Sequence, residues 1–197
     1  MKKLALFFLF IALLHNNSLV GQGLTGKGLK IGMNFSSFRG HDDLNSKWST
    51  IKGPVIGGFI TYKIIEKGAL QTELLYSRRG GVGTVSNMIK TTESAWYLEM
   101  PVLFKYQLQI GKTFCPDIFA GPSIGYTSRQ ISLFGDRTPF KPFDFGVVFG
   151  GDYYYKIASG AISFDIRYSL GLTKIDKTNN SNRMNSVLSF MIGYCFF

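Results

Sequence analysis

Few side chains in this sequence are suited to acid–base or metal chemistry. Its two histidines are His15 and His41, and His41 begins the run His41-Asp42-Asp43, which offers imidazole and carboxylate ligands. Three adjacent residues do not converge easily on one ion, and no further ligand is indicated. A hydroxyl nucleophile activated by histidine has no evident candidate either. We therefore interpret His41 as a solvated loop residue and predict no catalytic residue, no metal site and no cofactor.

The pair Arg78-Arg79, followed by Gly80-Gly81, contains the side chains that bind phosphate. A nucleotide site would also need Walker spacing and a following helix, and neither is present. Two interpretations remain open. These arginines contact the phosphate groups of a lipid surface, or they are rim charges that extend to water.

The stretch Ala95–Leu108, AWYLEMPVLFKYQL, indicates what kind of element carries the charged residues. From Trp96 to Tyr106 every second residue is large and apolar, whereas Glu99 and Lys105 lie between them. This two-residue period predicts a strand with two unlike faces. Its apolar face meets either the core of a soluble protein or membrane lipid.

The same period recurs along the chain and predicts eight strands. Each is about ten residues or longer, which suits a tilted membrane crossing of about 9–11 residues. The predicted strands are Leu29–Arg39, Pro54–Ile65, Ala69–Arg79, Ala95–Leu108, Thr113–Ser128, Pro142–Lys156, Gly160–Leu172 and Asn185–Phe197.

The connections between these strands alternate between short and long. Three short turns are predicted at Glu66–Gly68, Gln109–Lys112 and Ile157–Ser159. Four long polar connections are predicted at Gly40–Gly53, Gly80–Ser94, Arg129–Lys141 and Thr173–Met184. Outer-membrane barrels show this asymmetry, with long loops outside and short turns in the periplasm. An even number of strands then places both termini on the periplasmic side.

The faces of the predicted strands favour lipid on the apolar side. Apolar faces are large and continuous, whereas the opposite faces are rich in small residues and in charges of both signs. Eight strands enclose a space only just wide enough for side chains, and unpaired buried charges are too costly to tolerate. We therefore predict ion pairs across the lumen and prefer them to a carboxylate catalytic site. The luminal ion-pair candidates are Glu73, Glu99, Lys105, Asp165 and Arg167.

The first residues have the pattern of a secretory signal. Lys2 and Lys3 precede an apolar run from Leu4 to Leu14, which is shorter than the ~20 residues of a spanning helix. Cleavage after Gly21 would leave residues 22–197 as one mature barrel domain. We expect an exported protein, in which two thiols could form a disulfide. Cys115 and Cys195 are nevertheless predicted to be unpaired, because they lie far apart in strand order.

The chain carries a formal net charge of +10, which decreases by two when the signal is removed. An exported basic protein rarely meets nucleic acid, so no nucleic-acid partner is predicted. Outer-membrane lipids and lipopolysaccharide, with their anionic headgroups, are the expected partners, with Arg78 and Arg79 as the candidates for lipopolysaccharide contact. The aromatic C-terminal strand also suits recognition by the barrel assembly machinery.

Several segments together resemble the PorT-like outer-membrane β-barrel domain family. They are LKIGMNFSSFRG, QTELLYSRRGG, WYLEMPVLFKYQL, FAGPSIGY and DIRYSLGLTKI, of which Tyr97–Pro101 is the most specific. The resemblance covers nearly all of the mature chain. It implies an eight-stranded barrel in the outer membrane of a Gram-negative bacterium. It implies little about activity, although one branch of the family serves protein secretion.

The sequence thus predicts an all-β protein, an eight-stranded antiparallel up-and-down transmembrane β-barrel preceded by a signal peptide. Its predicted role is structural or interaction-based, as an envelope or secretion-complex component, without enzymatic activity. The alternatives are a lipid A-modifying outer-membrane enzyme, which lacks a suitable histidine, and a small pore, which eight strands leave little room to form.

Overall fold

The computed structural model describes residues 23–40, 47–85, 89–108, 115–133, 140–177 and 182–196. The signal segment, the His41-Asp42-Asp43 run and the predicted turn Gln109–Lys112 lie outside these residues. Within the described part of the chain, no helix is long and apolar enough to cross a membrane. The strands are β1 Leu24–Arg39, β2 Lys47–Ile65, β3 Gly68–Val85, β4 Ile89–Gln107, β5 Asp117–Leu133, β6 Phe143–Ile157, β7 Gly160–Gly171 and β8 Met184–Phe196.

The eight strands form a closed antiparallel barrel in chain order. Each strand pairs with the next, and β1 closes the ring against β8 from Lys27↔Phe196 to Arg39↔Met184. Closure satisfies the backbone donors and acceptors of every strand within the sheet, as a structure surrounded by hydrocarbon requires. The predicted fold class, an eight-stranded up-and-down barrel, is confirmed.

The large apolar side chains point outwards from the barrel. On β4, Met100 and Phe104 are 46% and 48% exposed, whereas their neighbours Glu99 and Lys105 are buried. A soluble barrel would have the opposite arrangement, with apolar residues inside. Exposed tyrosines mark the short-turn end of this apolar band, and aromatic residues also mark its other end. They are Tyr62, Tyr106 and Tyr155 at the short-turn end, and Tyr76, Trp96, Tyr126 and Phe143 at the opposite end.

Several strands are longer than the sequence indicated, which corrects the predicted loop boundaries. Most of the predicted connection Gly80–Ser94 is strand, because β3 continues to Val85 and β4 begins at Ile89. Likewise, β2 begins at Lys47 and β5 continues to Leu133. Strands β2 to β5 therefore extend past the aromatic level of Trp96, where outward positions such as Gly80, Val82 and Thr84 carry small residues and the apolar alternation is lost. The sequence signal for a strand disappears there although the hydrogen-bonded ladder continues.

A charge at the middle of the outward face of β4 should destabilise the barrel more than a charge at its edge. We expect Met100→Arg to reduce the free energy of unfolding by about 2–4 kcal/mol, because Met100 lies midway along the band. Tyr106→Arg, near the interface, should cost only about 0–1 kcal/mol. Urea unfolding of both variants in lipid vesicles checks this, and equal costs at the two positions would contradict the lipid-facing assignment.

Candidate functional site

The centre of the lumen holds an ionic cluster of Lys30, Glu73, Asp165 and Arg167. The Lys30 Nζ donates to Glu73 Oε1 at 3.0 Å and to Asp165 Oδ2 at 2.7 Å. Arg167 donates through Nη1 and Nη2 to the two Glu73 oxygens at 2.5 and 3.0 Å, and it is also paired with Asp165. Their side chains are almost completely buried. Two cations and two carboxylates neutralise one another, which is the condition for burying such charges.

Neighbouring residues make room for this central cluster and cover it. Gly150 pairs with Arg167 across β6 and β7, and a Cβ at Gly150 would lie only 2.8 Å from the Arg167 Cα. The Lys30 Nζ lies 5.0 Å from the centre of the Phe59 ring, and the Arg167 Cζ lies 5.0 Å from that of Phe119. The cluster is therefore held between aromatic faces, which also attract cations.

A second ionic layer lies towards the short-turn end. The Lys105 Nζ is 2.7 Å from Asp152 Oδ2 and 3.1 Å from Asp117 Oδ2, and it donates to the Tyr154 hydroxyl at 3.2 Å. Lys30 lies 4.0 Å from Asp152, so the two layers are in contact. The central cluster and this second layer thus form one continuous polar network.

A third layer lies on the other side of the central cluster. Arg79 points inwards from β3 and pairs with Glu99 of β4. Beside it, Asp144 accepts hydrogen bonds from the Asn185 amide at 2.7 Å and the Thr173 hydroxyl at 2.8 Å. A void of only about 10 Å³ lies beside Arg79, Glu99 and Asp144, so these side chains are closely packed.

The end of the barrel near the long connections is closed by a cap around Arg183. Its guanidinium donates to both Asp176 oxygens at 2.8 and 2.5 Å, and to Glu93 Oε2 at 2.9 Å. Its Cζ also lies between 4.8 and 5.9 Å from the ring centres of Trp48, Phe38 and Phe140. Burial disfavours the charged guanidinium, but the hydrogen bonds and negative charges of Asp176 and Glu93 together outweigh that effect and raise the pKa of Arg183 above its usual value.

An open space of about 390 Å³ lies at the short-turn mouth of the barrel, and its lining includes Lys67, Lys105, Tyr154 and Cys195. Lys105 and Tyr154 at its lining belong to the second ionic layer, so the pocket leads to the network rather than through the barrel.

The structure brings the five luminal candidates to different levels of the interior. Glu73, Asp165 and Arg167 meet in the central cluster, whereas Lys105 belongs to the layer below it and Glu99 to the layer above it. Sequence reasoning missed Lys30, Asp152 and Arg183. Lys30 and Asp152 have inward parity on their strands, so the alternation that marked Glu73 could have found them. Arg183 lies outside any strand, and no periodic signal points to it.

The two arginines proposed to contact lipopolysaccharide lie on opposite faces of β3. Arg78 points outwards and donates to the Ser94 hydroxyl at 3.2 and 3.1 Å. Arg79 is buried in the lumen and paired with Glu99. Adjacent strand residues point to opposite faces, so Arg79 cannot reach a lipid phosphate, and the prediction is corrected for that residue.

The arrangement offers little for catalysis. The buried carboxylates with the closest cation contacts, Glu73, Glu99 and Asp165, are engaged in ion pairs, and no histidine lies among the described residues. No group of three or more His, Cys, Asp or Glu in those residues could hold a metal ion. Cys115 and Cys195 are free thiols.

Comparisons with known proteins agree with this architecture. Residues 24–177 match the profile of a family described as outer membrane protein beta-barrel domain. The solved structure of the outer membrane protein OprG from Pseudomonas aeruginosa is similar, with 12% identity and a TM-score of 0.59 over 89% of this chain and 98% of that one. Neisserial surface protein A follows with 16% identity and a TM-score of 0.50 over 87% and 98%. At these identities the likeness concerns the fold alone. The search of curated proteins found no match.

Loss of one carboxylate from the central cluster should destabilise the barrel strongly. Glu73→Gln removes the anion that neutralises both Lys30 and Arg167, and we expect a loss of about 3–5 kcal/mol, as for other broken buried pairs. Glu66→Gln, in the exposed turn between β2 and β3, is the matched control and should change stability little. Urea unfolding in lipid vesicles gives both values. A Glu73→Gln barrel as stable as the control would show that the cluster contributes no net stability.

Proposed function

Since this chain belongs to the outer membrane protein beta-barrel domain family, we propose that it is a closed outer-membrane barrel with a structural or interaction role. The observation that supports this proposal is the filled interior. Ion pairs lie inside the lumen at three levels, and the Arg183 cap lies beyond them, towards the end with the long connections. Among the described residues, paired side chains fill the interior, and its buried carboxylates are held by cations or, for Asp144, by hydrogen bonds from Asn185 and Thr173, so the small pore and the lipid A-modifying enzyme are the weaker alternatives.

The interaction surface in this proposal is the extension of β2 to β5 above the membrane band. These four strands carry the chain past Trp96 and hold the connections at that end on a rigid sheet rather than on a flexible stalk. A rigid platform lowers the entropy lost when a partner binds. The partner we propose is another envelope protein, such as a component of a secretion complex. This choice rests on the resemblance of Tyr97–Pro101 to the PorT-like family, of which one branch serves protein secretion.

The proposed topology has both termini in the periplasm and the long connections outside. Residues 1–21 would be removed as a signal peptide, and the barrel assembly machinery would insert the mature chain by its aromatic C-terminal strand. The short turns at Glu66-Lys67 and Ala158-Ser159 lie at the same end of the barrel as the start of β1 and the end of β8. That arrangement is the usual one for bacterial barrels.

The filled interior predicts that the purified barrel does not conduct. In planar bilayers we expect no stepwise currents from the unmodified protein, because an ion would have to displace paired side chains at every level. Arg183→Ala opens only the cap and should remain silent as well, since the central cluster stays in place. Stepwise currents from the unmodified barrel would contradict the proposal and favour the pore.

Single cysteines at the two ends of the barrel test the orientation. In a background with Cys115→Ser and Cys195→Ser, Lys90→Cys places a thiol on the extended β3–β4 hairpin and Lys67→Cys places one in a short turn. Both side chains are exposed. A membrane-impermeant maleimide added to intact cells should label only the Lys90→Cys variant, and the Lys67→Cys variant should react after the outer membrane is permeabilised. The reverse order of labelling would invert the topology.

A further inference from the structure

Three cations come level on the outward surface of neighbouring strands at the upper edge of the apolar band. Arg78 on β3 pairs in register with Trp96 on β4, and Trp96 pairs with Arg129 on β5. Lys52 on β2 lies at the same level on the other side of Arg78. Its neighbour Gly53 is so close to β3 that a Cβ there would lie 2.4 Å from the backbone oxygen of Arg78. With strands about 4.8 Å apart, the row from Lys52 to Arg129 spans about 15 Å.

Aromatic side chains fix the depth of this row in the membrane. Tyr76 and Trp96 stack with ring centres 4.8 Å apart and an angle of 10° between their planes, on the outward face directly beside Arg78. The Lys52 Nζ lies 5.7 Å from the centre of the outward-facing Phe35 ring. Tyrosine and tryptophan prefer the level of the headgroups. The three cations therefore lie at the height of lipid phosphates rather than in hydrocarbon or bulk water.

Among the described residues, no carboxylate neutralises the charges in this row. Of the Asp and Glu residues that the structure describes, all except Glu66 point into the lumen or belong to the Arg183 cap, and Glu66 lies in a turn at the opposite end. Arg78 is held against the sheet by the Ser94 hydroxyl, which positions its guanidinium without removing its charge. Lys52 and Arg129 are exposed.

We propose that Lys52, Arg78 and Arg129, around the Tyr76–Trp96 stack, form a binding site for the phosphorylated sugar headgroup of lipopolysaccharide. The guanidinium groups would bind phosphate oxygens through paired N–H donors, Lys52 would add a point charge, and the indole would pack against the sugar and the first acyl carbons. The inference rests on the proposed orientation, because lipopolysaccharide occupies the outer leaflet. It does not depend on whether the lumen conducts.

Trp96 provides a direct readout of this site. Trp48 and Trp96 are the two tryptophans of the chain, and Trp48 lies in the interior cap, so Trp48→Phe leaves Trp96 as the reporter. We expect rough lipopolysaccharide, titrated onto the detergent-solubilised barrel, to change the Trp96 emission saturably. Dephosphorylated lipopolysaccharide should bind at least about tenfold more weakly, the factor that corresponds to about 1.4 kcal/mol.

A charge-matched pair of triple variants identifies the residues responsible. Lys52→Gln, Arg78→Gln and Arg129→Gln together should weaken binding at least about tenfold. Lys63→Gln, Lys67→Gln and Lys156→Gln remove the same charge from the opposite rim and should leave binding unchanged. Equal losses in the two triple variants would overturn the proposal in favour of a general charge effect. Equal binding of dephosphorylated lipopolysaccharide, or of phosphatidylglycerol, to the unmodified protein would overturn it without any variant, because no selective recognition of the phosphorylated sugar would then exist.

Discussion

The hydrogen-bond requirement of a backbone surrounded by hydrocarbon governs this structure. A sheet in lipid cannot leave an open edge, so β1 must close against β8, and eight strands close into a narrow barrel. The narrow lumen has room for side chains but not for bulk water around each charge. Any charged residue with inward parity must therefore find an opposite charge within the barrel. The ionic layers around Lys30, Lys105 and Arg79 follow from that closure.

The same requirement determines the charge of the outer surface. Carboxylates are needed inside to neutralise Lys30, Arg79, Lys105 and Arg167. The described carboxylates lie in the interior, in the cap or in one short turn. The cations in excess are left on the two rims, where they can reach water or lipid headgroups. The net positive charge of the sequence is thus not spread evenly. Among the described residues, the interior holds more carboxylates than cations, and the exposed cations lie at the rims, where anionic lipid headgroups lie.

The sequence predicted which side chains point into the barrel, but it did not predict which of them form ion pairs, and the reason is geometric. Alternation determines that Glu99 and Lys105 both point inwards, because side-chain direction depends only on parity. It does not determine which residues of other strands come level with them, since that depends on strand stagger and tilt around the closed ring. Six residues along one strand correspond to about 20 Å, so Glu99 and Lys105 cannot meet and take different partners, Arg79 and Asp152. Strand ends above the membrane were missed for a related reason, because the outward positions of Gly80–Val85 lie beyond the lipid and carry small residues, so the apolar alternation ends there.

These constraints separate the part of the barrel that can change from the part that cannot. An interior residue such as Glu73 contacts two cations at once, so replacing it alone leaves charges buried without a partner, and a tolerated change needs compensating changes on other strands. A residue on the extended ends of β2 to β5 meets water on its outward face and carries no such requirement. Binding properties can therefore differ at those ends without cost to the barrel. This explains how one scaffold can serve different functions, and why the function of this chain is better sought at Lys52, Arg78, Arg129 and the platform above them than in the lumen.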